Sequence, residues 1–182
     1  RVCAGELKQV CERGNLHLTE ADYFAVVDGK TAALTEVSVR LGALYAGASD
    51  EVADRLAGYG RDVGVAFQIA DDLLDLTGDE HTAGKTLGTD LDQQKLTLPV
   101  IRALAELPPA AADRLREALR TGDPARRAKV AAALADTGAV EYARRRAEGF
   151  ARSAKAALGC LPRSECRAVL ELLADWSLRR EK

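Results

Sequence analysis

A narrow acidic strip on an otherwise apolar segment is the strongest chemical feature of this 182-residue sequence. Within residues 63–76 the only polar side chains are those of Gln68, Asp71, Asp72 and Asp75. Their spacing of i, i+3, i+4 and i+7 places all four on one face of a helix. Like charges at this spacing repel unless a cation lies among them, and carboxylate oxygens are ligands that Mg²⁺ prefers. We therefore predict a Mg²⁺ site at Asp71, Asp72 and Asp75 rather than a solvated acidic face.

Two lysines follow the strip, in or next to a polar segment of the chain. Lys85 and Lys95 lie within or just after residues 79–94, which have too little apolar periodicity for a helix and are predicted to form a loop. Carboxylate-bound metal ions neutralise part of the charge of a diphosphate, and ammonium groups bind its outer oxygens. The strip and the two lysines together predict a diphosphate-binding site.

A third group of candidates lies upstream, at Gly29, Lys30 and Thr31. They fall inside a run of helical periodicity, where glycine costs about 1 kcal/mol relative to alanine. We therefore expect a local kink that presents the Lys30 ammonium and the Thr31 hydroxyl.

The composition and the helix signals predict an all-α fold. Of the residues, 47% are hydrophobic but only 4% are aromatic, which favours helices over a sheet. Thr19 and Asp22 form a capping box that opens a run to about Gly47, and Ser49 or Asp50 begins a helix to about Leu76. Further helices are predicted for residues 98–107 and 110–121, with three more separated by the breaks at 123–124, 137–138 and 161–162.

Charge and cysteine content exclude several classes of function. The net charge of −2 is too balanced for the cationic surface that nucleic-acid binding requires. No apolar run approaches the roughly 20 residues of a membrane-spanning helix. The four cysteines form no C-x-x-C pair, which argues against zinc, and we expect them to be reduced thiols of a cytoplasmic protein.

Three motifs resemble those of the trans-isoprenyl diphosphate synthases, the polyprenyl synthetases. They are FQIADDLLD at residues 67–75, GKTLGTDLDQQKLTLP at residues 84–99, and KTAAL at residues 30–34. The resemblance is strong over about residues 1–105, and the remainder fits the helical C-terminal end of the family.

This resemblance implies a fold, an activity and site residues. The fold would be an antiparallel helical bundle of the isoprenoid synthase type. The activity would be condensation of an allylic diphosphate with isopentenyl diphosphate through a carbocation, with Mg²⁺ as cofactor. Carried over position by position, the metal ligands would be Asp71, Asp72 and Asp75, the substrate-binding residues Lys30, Thr31, Gln68, Lys85 and Lys95, and the catalytic residues Lys30, Thr31 and Asp71.

One motif of the family is missing from the sequence. A first D-D-x-x-D motif is absent, and the sequence contains no methionine. We therefore interpret residues 1–182 as the C-terminal part of a single helical domain. We expect it to be inactive without N-terminal helices, to associate with its own N-terminal fragment and to form a homodimer. Two alternatives remain open: a non-catalytic subunit that partners a complete synthase, and a helical module whose acidic strip binds a basic partner.

Overall fold

The computed structural model describes residues 1–78 and 88–179, and within these ranges the chain forms helices and no strand. The all-α prediction is therefore confirmed. In chain order the elements are α1 (Val2–Cys11), α2 (Glu20–Val27), a π-helical turn (Asp28–Ala32), α3 (Ala33–Tyr45), α4 (Asp50–Thr77), α5 (Thr89–Asp92), α6 (Leu98–Glu106), α7 (Pro109–Thr121), α8 (Arg126–Thr137), α9 (Ala139–Ala157), a 3₁₀ turn (Leu158–Cys160) and α10 (Glu165–Trp176). In the described parts of the chain, no helix is both long and apolar enough to span a membrane.

The predicted helix starts are confirmed at α2 and α4. The Thr19 hydroxyl accepts from the Asp22 amide at 3.2 Å, and the Asp22 carboxylate accepts from the Thr19 amide at 3.3 Å. Ser49 caps α4 in the same way by accepting from the Val52 amide. These side chains satisfy amides that have no partner within their own helix.

The predicted loop over residues 79–94 is wrong at its C-terminal end, where Thr89–Asp92 forms α5. The amides of Thr89 and Asp90, at the start of this helix, donate to the Asp75 carboxylate on α4. Because the stabilising acceptor comes from another helix, sequence periodicity does not reveal it. Residues 79–87, which include Lys85, lie outside the described residues.

Helix α4 occupies the centre of the fold, with α3 packed along one side and α9 along another. A Cβ atom added to Gly60 would lie 2.6 Å from the Thr35 carbonyl oxygen, and one added to Gly64 would lie 2.4 Å from Thr35 Oγ1. On the other side, α9 buries alanines at residues 139, 143, 147 and 151. Small residues on both sides therefore allow α4 to approach its neighbours closely.

A glycine contact positions α1 against the π-helical turn. A Cβ atom on Gly5 would lie 2.4 Å from the backbone nitrogen of Lys30, and one on Gly29 would lie 3.0 Å from the Gly5 Cα. The irregularity that we expected at Gly29 is thus present as a π-helical turn, a feature frequent at functional sites. Gly29 also allows α1 to cross at this point, which the sequence analysis did not anticipate.

Candidate functional site

Most of the predicted site residues line one cavity. It lies between α1, α2, the π-helical turn, α4 and the segment that follows α5. The cavity is lined by the predicted residues Lys30, Thr31, Gln68, Asp72 and Lys95, and also by Gln9, Glu12, Arg13, Leu18, Tyr23, Val26, Val27 and Leu96. The lining therefore has a polar side, formed by the predicted residues, and includes a group of apolar side chains: Leu18, Val26, Val27 and Leu96.

Asp72 is the centre of the polar side, and only 1% of its surface is exposed. The Tyr23 hydroxyl donates to its Oδ2 atom at 2.7 Å. Gln68 Nε2 donates to Oδ1 at 2.9 Å, and Lys95 Nζ donates to the same oxygen at 3.1 Å. These donors compensate the cost of burying the carboxylate.

The hydrogen bonds continue on both sides of Asp72. The Thr31 hydroxyl donates to Gln68 Oε1 at 2.8 Å, so the amide of Gln68 connects Thr31 to Asp72. Lys95 Nζ also donates to the two carboxylate oxygens of Asp90, at 3.1 and 3.2 Å. Thr31, Gln68, Asp72, Lys95 and Asp90 therefore form one continuous network across the cavity, which we call the polar network.

Burial and negative charge shift the pKa values around this network. Burial raises the pKa of the Tyr23 hydroxyl well above its ordinary value, and Asp72, Asp90 and Asp71 raise it further. Tyr23 therefore stays neutral and remains a donor to Asp72.

At Lys95 and at Asp90, burial and the charge of the neighbouring side chains shift the pKa in opposite directions. Burial raises the pKa of Asp90 to about 6, although the Lys95 ammonium lowers it. Burial lowers the pKa of Lys95, but the charges of Asp72 and Asp90 outweigh this, and the net change is an increase. Lys95 is therefore charged at neutral pH, and it is a single cation beside the two carboxylates of Asp72 and Asp90.

Asp75 lies apart from the polar network, although it belongs to the acidic strip. Its Oδ1 atom accepts from the Thr89 amide at 3.2 Å and from the Thr89 hydroxyl at 3.0 Å. Its Oδ2 atom accepts from the Asp90 amide at 3.1 Å. The carboxylate thus holds the N-terminus of α5, which places the following Lys95 beside Asp72.

Lys30 lines the cavity, but its ammonium is held by α1. Nζ donates to Gln9 Oε1 at 2.8 Å and lies 3.2 Å from Glu6 Oε1. About one third of the side chain is exposed. Lys30 is therefore next to the polar network without being part of it.

The predicted metal ligands do not face one common point. Across residues 1–78 and 88–179, no three His, Cys, Asp or Glu side chains are grouped so that they could hold a metal ion. Asp72 and Asp75 accept hydrogen bonds from the protein, and Asp71, which is half-buried, also has a polar or electrostatic interaction of its own. The assignment of all three aspartates to Mg²⁺ therefore stays a prediction.

Three contributors to the site were not assigned a role from the sequence: Tyr23, Asp90 and Gln9. Tyr23 lies seven residues before Lys30, a spacing of about two helical turns that puts both on one face, so periodicity could have indicated it. Asp90 lies within the motif at residues 84–99 but was given no role of its own, and Gln9 is 21 residues from Lys30, so no helical spacing relates the two.

Comparisons with known proteins agree on one family. The family model described as polyprenyl synthetase matches residues 1–137. The short chain isoprenyl diphosphate synthase of Methanothermobacter thermautotrophicus is 36% identical, and the match covers 100% of this chain and 56% of that protein. The octaprenyl diphosphate synthase of Escherichia coli is 35% identical with the same coverage.

Solved structures give the same result. A decaprenyl diphosphate synthase from Rhodobacter capsulatus matches with a TM-score of 0.90 and 35% identity, over 100% of this chain and 56% of that one. A polyprenyl synthase from Caulobacter crescentus, complexed with calcium and isoprenyl diphosphate, matches with a TM-score of 0.92 and 33% identity at the same coverage. The chain thus spans a little over half the length of these relatives.

Proposed function

The chain belongs to the polyprenyl synthetase family, and we propose that it supplies one wall of the active site of a prenyl transferase. The predicted helical bundle of the isoprenoid synthase type is confirmed by the solved structures. The proposed reaction condenses an allylic diphosphate with isopentenyl diphosphate. The observation that carries the proposal is the polar network, which combines carboxylate, amide, hydroxyl and ammonium groups beside an apolar surface.

The charge balance of the site fits a divalent cation. The two carboxylates of Asp72 and Asp90 share the single ammonium of Lys95, so negative charge is in excess when both are ionised. Mg²⁺ takes one or two carboxylates and keeps most of its waters. We propose that its ligands come from Asp71, Asp72 and Asp75, whose spacing places all three on one face of α4. A bound Mg²⁺ would stabilise negative charge on the departing diphosphate.

The cationic and polar side chains would bind the allylic diphosphate. We propose that Lys95 and Lys30, together with Lys85, bind its outer oxygens as point charges. Thr31 and Gln68 would lie near the carbon–oxygen bond that breaks. When this bond breaks, the diphosphate leaves with the electron pair and an allylic cation remains.

The apolar side of the cavity would protect that cation from water. Leu18, Val26, Val27 and Leu96 line it, and they offer no nucleophile. The double bond of isopentenyl diphosphate attacks the cation, and a proton is then lost, for which the released diphosphate is the proposed acceptor. Exclusion of water prevents hydrolysis of the intermediate.

The chain spans 56% of the length of its relatives, which supports the proposal that an active synthase needs more than this chain. We propose that an N-terminal part completes the site and that the domain formed with residues 1–182 is a homodimer. Large apolar side chains exposed on α1 and α3 support contact with further polypeptide; they are Leu7, Val10, Leu34, Val37, Leu41 and Tyr45. We also propose a cytoplasmic location, which the four free cysteines support.

A product assay tests this proposal. The chain is incubated, alone and with an N-terminal fragment from its source, with Mg²⁺, an allylic diphosphate and labelled isopentenyl diphosphate. We expect labelled prenyl diphosphate only from the combined polypeptides, and none when EDTA removes Mg²⁺. If the combined polypeptides bind each other and still yield no prenyl product, the proposed function is wrong.

A further inference from the structure

Tyr23 connects α2 to the acidic strip of α4 by one buried hydrogen bond. Its hydroxyl donates to Asp72 Oδ2 at 2.7 Å, and the two residues are only 3% and 1% exposed. The other oxygen of the same carboxylate accepts from Gln68 and Lys95. Because a carboxylate is planar and rigid, a donor that is fixed on one oxygen atom also sets the direction in which the second oxygen atom points.

Aromatic packing fixes the Tyr23 ring itself. The ring meets Phe24 edge-on, with centroids 5.3 Å apart. The Arg146 guanidinium of α9 lies 4.8 Å from the centre of the Phe24 ring. These contacts tie α2 to α9 independently of the hydroxyl, so the position of the donor is set before any ligand binds.

We propose that Tyr23 is a positioning residue, which acts through Asp72 to orient the Lys95 ammonium and the Gln68 amide toward a bound diphosphate. The inference rests on the proposed function for the identity of the ligand. Without the hydroxyl, Asp72 Oδ2 is a buried acceptor that has lost its donor, which is costly. The carboxylate then turns toward its remaining donors, and Lys95 is drawn from its place between Asp72 and Asp90.

The first test compares Tyr23→Phe with Tyr142→Phe. The control removes a hydroxyl that also donates to a carboxylate, that of Glu20 at 2.7 Å, and Tyr142 does not line the cavity. Both variants keep their rings. With inorganic pyrophosphate and Mg²⁺ in calorimetry, we expect Tyr23→Phe to weaken affinity roughly tenfold and Tyr142→Phe less than about twofold. Equal affinity of Tyr23→Phe and the wild type would overturn the proposal.

The second test needs no ligand. In ¹H–¹⁵N spectra of lysine ammonium groups, the hydrogen bonds of Lys95 slow proton exchange and give it a signal. Lys155, whose Nζ atom lies 2.6 Å from Asp175 Oδ1, serves as an internal reference. We expect Tyr23→Phe to move or broaden the Lys95 signal and to leave that of Lys155 in place.

The two tests separate the two claims. If the wild-type chain binds no pyrophosphate, the proposed function fails, while the Lys95 signal still decides whether Tyr23 positions this ammonium. An unchanged Lys95 signal in Tyr23→Phe contradicts the positioning role, whatever the affinity for pyrophosphate.

Discussion

Replacing Lys95 by methionine is expected to lower the free energy of unfolding by about 3–5 kcal/mol at neutral pH. Methionine fills much of the same volume but removes the ammonium that donates to Asp72 and Asp90. Asp72 is fully buried in this ion pair, and the side chains of Lys95 and Asp90 are only 19% and 16% exposed. Two carboxylates would therefore remain close together without a cation between them.

This loss of stability should depend on pH. The pKa of Asp90 in the folded chain is about 6, above its ordinary value of 3.8, so protonation of Asp90 favours the folded state. The contribution of this protonation to the free energy of unfolding is present below about pH 4 and is lost as the pH rises through about 6. Because Lys95 lowers this pKa, its removal raises it further, and the deficit should be small near pH 4 and large above about pH 6.

Urea unfolding of Lys95→Met between about pH 4 and pH 8 measures this effect. The matched control is Lys155→Met, which breaks the more exposed ion pair with Asp175 and should cost only about 0.2–1 kcal/mol. A loss at Lys95 no larger than the loss at Lys155 would show that the polar network does not hold the site together.

A methyl group added at Gly5 is expected to destabilise the chain by about 3 kcal/mol or more. The new Cβ atom of Gly5→Ala would lie 2.4 Å from the Lys30 nitrogen and 2.6 Å from the Gly29 carbonyl carbon. Both atoms are backbone atoms and cannot move aside as a side-chain end would. Helix α1 must then shift away from the π-helical turn, and the contact of Gln9 with Lys30 is lost.

The control for this substitution is Gly42→Ala in α3. A Cβ atom there meets nothing within 4 Å, and replacing glycine within a helix stabilises by up to about 1 kcal/mol. Free energies of unfolding for the two variants give the comparison. If Gly5→Ala is as stable as Gly42→Ala, the close contact of α1 with the turn is not present in solution.

Helix boundaries follow from the sequence wherever local signals decide them. The capping box at Thr19 and the cap at Ser49 were predicted and are present. The helix predicted to begin at residue 98 is also present, with Pro99 in its first turn. Helix α5 was missed because its first amides depend on Asp75, which lies 14 residues earlier. The irregularity at Gly29 was expected from the sequence, whereas the crossing of α1 at this point was not. Local signals therefore predict the helices that begin with their own caps.

The site residues also divide into those that local spacing predicts and those that depend on contacts distant in sequence. The spacing of Gln68 and Asp72 placed both on one face of α4, and their direct hydrogen bond agrees with it. The directions of the carboxylates were not predictable, because they depend on donors far away in sequence. Tyr23 is 49 residues from Asp72, and no periodicity within α4 refers to it.

The most direct test of the central claim is calorimetric titration of the chain with geranyl diphosphate, in the presence of Mg²⁺ and then of EDTA. We expect saturable binding with Mg²⁺ and affinity at least about tenfold weaker both in EDTA and for Asp71→Ala. The control Asp113→Ala, at an exposed ion pair with Arg116 on α7, should bind like the wild type. Equal affinity with and without Mg²⁺, or wild-type affinity of Asp71→Ala, would contradict the assignment of a Mg²⁺-dependent diphosphate site.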